Sequence, residues 1–145
     1  MKEKGEVIIE NCPFCTIIDA QGNDPHQERI FFDHQGVMAM FVNHPDTHGH
    51  FIVFPSSHAS DLPAMKDDLG EFFRLVCELA ESAIPKLGAD AYVLKLNNNI
   101  YKLDDDPLHV GHIHMHVIPH YKQPVPLPKV IDSEYYQEVM QVVTE

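Results

Sequence analysis

Residues 109–120 read His-Val-Gly-His-Ile-His-Met-His-Val-Ile-Pro-His, and they predict a strand from about Val110 to Ile118. Because side chains alternate between the two faces of a strand, His112, His114 and His116 share one face. The residues between them are apolar and can enter a core on the other face. Three neighbouring imidazoles are costly to bury, so this strand is expected to line a polar site or to bind a metal ion.

The histidine pattern has two simpler explanations. An exposed polar face that happens to be rich in histidine would give the same alternation. An expression tag is terminal and contiguous, whereas this run alternates with core-type residues. Three adjacent positions on one face of a flat strand span too far for all of them to ligate one ion comfortably. One histidine on a metal and another free for chemistry fits the spacing better.

The segments around this strand predict one α+β domain. β-branched and aromatic residues between turn signals mark further strands, and apolar residues at three- and four-residue intervals mark a helix that Pro85 is expected to end. Cys77 lies in this helix and is expected to be a small buried residue. The other predicted elements are strands over 28–33, 37–43, 50–55 and 92–97, a long helix over about 65–84, and a short amphipathic helix near 132–143.

The composition is that of a globular protein with an acidic surface. The chain has 145 residues, 44% of them hydrophobic, and 10 Lys plus Arg against 22 Asp plus Glu, for a net charge of −12. This charge argues against nucleic acid and membranes as partners, because phosphate binding normally needs a basic surface. No apolar run approaches the roughly 18–20 residues of a membrane helix. The 11 histidines outnumber Lys and Arg together, which favours histidine chemistry on a small molecule.

The cysteines indicate a reducing, cytoplasmic setting. Cys12, Cys15 and Cys77 are too few and too unevenly spaced for a secreted disulfide framework. Cys12 and Cys15 form a Cys-x-x-Cys pair, which on its own fits a redox pair, a simple turn or half of a zinc site. A closed tetrahedral zinc site needs two more ligands.

Four segments in the same order resemble the histidine triad (HIT) family. His-Ile-His-Met-His-Val-Ile over 112–118 resembles the family motif, His-x-His-x-His followed by two hydrophobic residues. Cys-Pro-Phe-Cys over 12–15 resembles the opening of bacterial members. Gly-His, an apolar strand and Pro-x-x-His over 49–58 resemble another family segment, and the asparagines after Leu96 resemble the stretch that precedes the triad.

The resemblance implies an architecture. It is the HIT fold, an antiparallel sheet of about five strands with one long helix packed on it, in a protein that usually forms a two-fold homodimer. Residues 1–145 would then be a single HIT domain, with a loose N-terminus over 1–10 and a C-terminal tail with a short helix over 122–145.

The resemblance also implies three catalytic histidines. His114, the middle residue of the triad, would be the nucleophile that forms a covalent nucleotidyl intermediate at the α-phosphorus. His116 would donate hydrogen bonds to phosphate oxygens or to the leaving group. His50 matches a family histidine that orients the triad, against the alternative of a satisfied histidine at a strand end.

Substrate contacts and metal ligands follow from the same comparison. Asn98 matches an asparagine near the phosphate, and Asn43 matches the position that contacts the ribose once a one-residue gap is allowed. His109 stands where the family has a hydroxyl residue that meets the phosphate or the leaving group. The metal ligands implied by the resemblance would make a Cys₂His₂ structural zinc site from Cys12, Cys15, His58 and His112.

Three departures from the family pattern bear on the leaving group, and one of them is His120, which stands where many relatives have arginine. Pro107-Leu108-His109-Val110 replaces the usual Gly-Gln-Ser/Thr-Val, and the loop before the triad is about three residues longer and carries Asp104, Asp105 and Asp106. A longer acidic loop is expected to disfavour a polyphosphate leaving group and to tolerate a neutral or cationic one.

The function expected from the resemblance is hydrolysis of a purine nucleotide at the α-phosphorus, with a phosphoramidate, dinucleoside polyphosphate or nucleotidyl conjugate as substrate. A nucleotidyltransferase or phosphorylase of the same superfamily is the enzymatic alternative, although such transferases commonly carry Gln where this chain has His116. A nucleotide-binding regulatory module with weak catalysis is the alternative from another class, kept open by the altered segment at His109.

Overall fold

The computed structural model describes residues 12–20, 28–103 and 110–145 of the chain. Within these ranges the chain forms a five-stranded sheet with helices on both of its faces. The α+β class and the antiparallel five-stranded sheet expected from the sequence are confirmed. The helices and strands, in chain order, are α1 (Pro13–Ala20), β1 (Ile30–His34), β2 (Val37–Phe41), β3 (Phe51–Pro55), α2 (Leu69–Leu87), β4 (Ala91–Leu96), β5 (Met115–His120) and α3 (Ser133–Val143).

All neighbouring strands of the sheet are antiparallel, in the order β1-β2-β3-β5-β4. One line of paired residues crosses four of the strands: Met40 pairs with Ile52, Ile52 with His116, and His116 with Lys95. Residues directly opposite each other on antiparallel strands present their side chains on the same face. We refer to Met40, Ile52, His116 and Lys95 as the cleft row.

Both faces of the central strands are covered, so β2 and β3 are buried throughout and read as continuous apolar runs. One face packs against α2 and α3 through residues such as Phe41, Phe51 and Phe72. The other face packs against α1, where Phe14 stacks on Phe54 with ring centroids 4.7 Å apart. The sequence analysis predicted no helix at the Cys-x-x-Cys pair, so α1 is the element that it missed.

α2 begins and ends later than predicted. The expectation that Pro85 ends the helix is wrong, because a proline in the last turn removes only one backbone donor and the helix continues to Leu87. Gly88 then adopts a left-handed conformation with φ 78°. Its N–H and that of Ala89 bind the carbonyls of Pro85 and Ile84, which closes the helix.

Cys77 is exposed, so the expectation that it is buried is also wrong. α2 buries a stripe that includes Phe72, Val76 and Ala80 against the sheet. Cys77 directly follows Val76, so its side chain is rotated by about 100° around the helix axis and lies outside that stripe. Phe73, which directly follows Phe72, is exposed in the same way.

The histidine strand starts at Met115 rather than near Val110. The preceding backbone makes other hydrogen bonds: the Ile113 N–H donates to the Ala59 carbonyl (2.7 Å), and the His112 carbonyl accepts from the His114 ring (2.7 Å). His112 and His114 therefore lie in a segment that leads into β5 instead of in the ladder. No helix within the described ranges is long and apolar enough to cross a membrane.

Gly49 positions the start of β3, and we expect its replacement by alanine to destabilise the protein. Its φ is +81°, and a Cβ would lie 2.7 Å from Leu87 Cδ1. The left-handed backbone costs an alanine about 1–2 kcal/mol. Gly70→Ala is the matched control, because a Cβ there meets nothing within 4 Å and Gly70 lies in α2. Urea unfolding of both variants measures the effect. A loss for Gly49→Ala no larger than that for Gly70→Ala would contradict the assignment.

Candidate active site and metal centre

A cleft of about 550 Å³ lies over the sheet face that α1 partly covers. Its volume is in the range of small-molecule sites. All four residues of the cleft row line it. The remaining lining residues are Pro13, Phe14, Thr16, Ile17, Arg29, Val42, Asn43, His44, Asp46, His50, Asn97, Val110, His114 and Ile118.

His114 is held with one ring nitrogen directed at the protein. Its Nδ1 lies 2.7 Å from the His112 carbonyl oxygen, so we assign the proton to Nδ1 as a donor. Its Nε2 is then unprotonated, which is the form that acts as a nucleophile. Burial lowers the pKa of His114 and favours this neutral ring.

His50 and His116 form a second hydrogen-bonded chain beside His114. The Asp46 backbone N–H donates to His50 Nδ1 (3.0 Å), which places the neutral ring's proton on Nε2. His50 Nε2 then donates to His116 Nδ1 (2.9 Å), and His116 keeps a proton on its own Nε2. Because His116 and His114 have ring centroids 5.0 Å apart, this donor lies beside the His114 ring.

Burial keeps this pair neutral near pH 7. Burial is the largest cause that lowers the pKa of His50 to about 4; the charge of Asp46 opposes the shift, and the charge of Lys95 adds to it. Burial also lowers the pKa of His116 to about 3, with additional repulsion from His114, His50 and Lys95. In the neutral His50–His116 pair all hydrogen bonds point the same way, from the Asp46 backbone N–H through His50 to His116. Hydrogen bonds aligned in this way strengthen one another, and the last donor, His116 Nε2–H, faces the cleft.

Cys12, Cys15, His58 and His112 form a possible metal site. One ligand atom from each lies within 4.8 Å of the others. His112 Nδ1 is 3.4 Å from Cys12 Sγ, and His58 Nδ1 is 3.3 Å from Cys15 Sγ. A tetrahedral zinc ion with Zn–S of about 2.3 Å and Zn–N of about 2.0 Å separates its ligands by roughly 3.3–3.8 Å. The donor set and its spacing therefore fit structural zinc.

The second nitrogen of His112 supports this geometry. His112 Nε2–H donates to the Pro55 carbonyl (2.9 Å), which leaves Nδ1 unprotonated and free to act as a ligand. His112 thus faces the cysteines with one nitrogen, while its backbone carbonyl accepts the hydrogen bond from His114 Nδ1–H. One residue therefore belongs to the possible metal site and also holds the ring of His114.

The structure brings together most of the predicted site residues. His50, His114 and His116 lie in the cleft with Asn43, and the four predicted ligands lie together. Asn98 is not brought to the cleft, because its Oδ1 accepts the Leu62 backbone N–H (2.8 Å). His109, which the resemblance placed near the phosphate or the leaving group, lies outside the described residues, as do Asp104, Asp105 and Asp106.

Asn97 and Lys95 are cleft residues that the sequence interpretation missed. Lys95 pairs with His116, and Asn97 lies two residues further along the chain, so both follow the face of His116. Counting in twos from the residue opposite His116 would have selected Asn97 instead of Asn98. The sequence analysis also did not identify Phe14 and Ile17 of α1 as cleft residues, because no helix was predicted there.

Comparison with known proteins identifies the family of this chain. A family model described as the HIT domain matches residues 24–123, more than half of the chain. The chain belongs to the HIT family. Another HIT protein, protein hit of Bacillus subtilis, is 33% identical over 113 residues, which are 77% of this chain and 72% of that protein.

Solved structures show that the HIT fold is shared over most of the chain. A zinc-bound histidine triad family protein of Mycobacterium smegmatis aligns with a TM-score of 0.69 and 22% identity, covering 92% of this chain and 94% of that one. The diadenosine triphosphate hydrolase of Plasmodium falciparum, solved with cyclomarin A, aligns with a TM-score of 0.64 and 12% identity, covering 81% and 76%.

Proposed function

We propose that this HIT protein is a hydrolase that cleaves purine nucleotides at the α-phosphorus through a covalent nucleotidyl intermediate on His114. The observation that carries the proposal is the hydrogen bond from His114 Nδ1 to the His112 carbonyl, which leaves Nε2 as an unprotonated nucleophile in a cleft of nucleotide size. The substrate would be a phosphoramidate, a dinucleoside polyphosphate or a nucleotidyl conjugate.

The apolar half of the cleft would hold the nucleoside. Ile17 from α1, Met40 and Val42 at β2, and Ile52 from β3 line this half and can contact a base on both faces. Asn43 is exposed at the same end and offers an amide that can bind ribose hydroxyls without adding charge. The α-phosphate would then lie at the histidines.

The reaction requires no protein carboxylate. His114 Nε2 attacks the α-phosphorus, the new P–N bond forms, and the bond to the leaving group breaks with its electron pair going to that group. The ring becomes positively charged, and its Nδ1–H donates more strongly to the His112 carbonyl. The Nε2–H of His116 donates to a phosphate oxygen or to the departing atom. In the second step the oxygen of water bonds to phosphorus, the P–N bond breaks with its electron pair returning to His114 Nε2, and the proton lost by water goes to solvent. The nucleoside monophosphate is released and His114 is again neutral.

We propose that zinc is bound by Cys12, Cys15, His58 and His112 and that its role is structural. The ion would fix α1, which forms a wall of the cleft, and His112, whose carbonyl orients the nucleophile. Thiolate ligands need reduced cysteines, which supports a cytoplasmic location. The net charge of −12 supports a small-molecule partner in preference to nucleic acid or a membrane.

A substrate panel tests the proposal. The zinc-loaded protein is incubated with adenosine and guanosine phosphoramidates and with dinucleoside polyphosphates, and release of the nucleoside monophosphate is followed. Release that requires only water supports hydrolysis. Products that incorporate added phosphate would instead indicate a phosphorylase. Binding of nucleotides without turnover of any substrate would indicate a regulatory module.

We also propose a homodimer, because apolar side chains are exposed along one edge of the molecule. β4 is an edge strand, and it exposes Val93 (46%) and Leu94 (38%), while α2 exposes Phe73 (37%). Unpaired edge strands with apolar side chains favour association, and a two-fold contact closes it. We expect Phe73→Glu to lower the mass measured by sedimentation towards the monomer. Val130→Glu is the control, since Val130 is exposed elsewhere, in the C-terminal tail. A wild-type monomer would contradict the proposal.

A further inference from the structure

The side chains of the cleft row change from apolar to positively charged across the sheet. Met40 and Ile52 are apolar, His116 carries the hydrogen-bond donor, and Lys95 is a cation on β4. Neighbouring strands are about 4.8 Å apart, so the row spans about 14 Å from Met40 to Lys95. A substrate that lies along it meets an apolar surface first, then histidines, then an ammonium group.

Lys95 differs from the other cation of the cleft. Among the described lining residues the cations are Arg29 and Lys95. Arg29 is buried, donates to the Phe41 carbonyl and lies over the Tyr136 ring. Lys95 is exposed to the cleft, and no carboxylate of the described residues forms an ion pair with it. Its ammonium is therefore available to a ligand.

We infer that Lys95 binds an anionic leaving group, so that the site prefers substrates in which the α-phosphate is followed by further phosphates. The inference rests on the proposed function, which places the nucleoside over β2 and β3 and the α-phosphate at His114. The part of the substrate beyond the α-phosphate then extends over β4, where Lys95 and Asn97 lie.

The charge of Lys95 discriminates between classes of leaving group. An ammonium attracts a phosphate strongly and gains little from ammonia or a neutral amine. In an otherwise acidic chain, this cation beside the histidines offsets the repulsion that a polyphosphate would meet. The inference is opposite to the expectation from the acidic loop, whose residues 104–109 lie outside the described ranges. The substrate comparison below distinguishes the two.

The test compares two substrates on zinc-loaded wild-type protein and on Lys95→Met. We expect the ratio of kcat/KM for diadenosine tetraphosphate to that for adenosine phosphoramidate to fall about 10- to 100-fold in the variant, as for loss of a charged hydrogen bond. Lys95→Arg keeps the charge and is expected to restore most of the ratio. Lys66→Met removes an exposed lysine outside the cleft and is expected to leave the ratio unchanged.

A binding measurement separates this inference from the proposed hydrolysis. Calorimetry with adenosine tetraphosphate and with AMP is expected to show a larger affinity loss for the tetraphosphate in Lys95→Met. If that loss is seen while no substrate is hydrolysed, the anion site stands and the proposed reaction fails. Equal losses for both ligands, or an unchanged substrate ratio, would overturn the assignment of Lys95.

Discussion

Replacing His114 by alanine is expected to lower kcat/KM for nucleotide hydrolysis by at least about 10³-fold, because the covalent route is then lost. The cleft should still bind nucleotide, since the apolar half and Asn43 do not depend on this ring. Initial rates with the best substrate of the panel measure the effect, and titration with the corresponding nucleoside monophosphate measures binding. Mass spectrometry of acid-quenched wild-type protein is expected to show a nucleotidyl adduct that is absent from the variant.

His120→Ala is the matched control for this experiment. His120 also lies in β5, but it is exposed and does not line the cleft. Its replacement is expected to leave the rate within about twofold, as for surface substitutions in general. Retention of more than a tenth of the wild-type rate by His114→Ala would show that the nucleophile is another group.

Replacing Cys12 by serine is expected to remove zinc and to lower the melting temperature by more than about 10 °C. A structural zinc site contributes several kcal/mol or more to folding, and each kcal/mol shifts the melting temperature of a domain this size by about 2–4 °C. Cys12 is buried beside His112, and no other described cysteine or histidine can take its place in the set. Metal analysis and calorimetry measure the loss independently of activity.

Cys77→Ser provides the control for the metal site. Cys77 is an exposed thiol on α2 and lies outside the ligand cluster. We expect it to keep about one zinc ion per chain and to melt within about 2 °C of the wild type. A purified wild-type protein with no bound zinc, and a melting curve unaffected by added zinc or by chelator, would contradict the metal assignment.

Local patterns in the sequence were sufficient for the strands and for the histidine motif. Apolar and β-branched segments between turns predicted all five strands within a few residues, apart from the late start of β5 at Met115. The same patterns could not show α1, because its eight residues, which include Cys15, are too few for a clear helical period. They also misplaced the end of α2, where Gly88 decides the termination and Pro85 does not.

Pairing between strands decided which residues reach the cleft. Asn97 and Asn98 are adjacent in the sequence just after β4, yet Asn97 lines the cleft, whereas Asn98 lies outside it and accepts the Leu62 backbone N–H. No pattern in the residues around Lys95 indicated that it belongs to the site. Its position opposite His116 depends on the register between β4 and β5.

The sequence by itself determined the residue types and the local spacing: the alternating histidines, the Cys-x-x-Cys pair, the apolar strands and the acidic charge. Only the tertiary structure decided which of these groups meet, as when Cys12 reaches His112 across 100 residues of chain and His50 reaches His116 across 66. The physical reason is that periodicity and turn preference act over a few residues. The meeting of distant side chains depends instead on strand register and on the packing of α1 and α2 against opposite faces of the sheet.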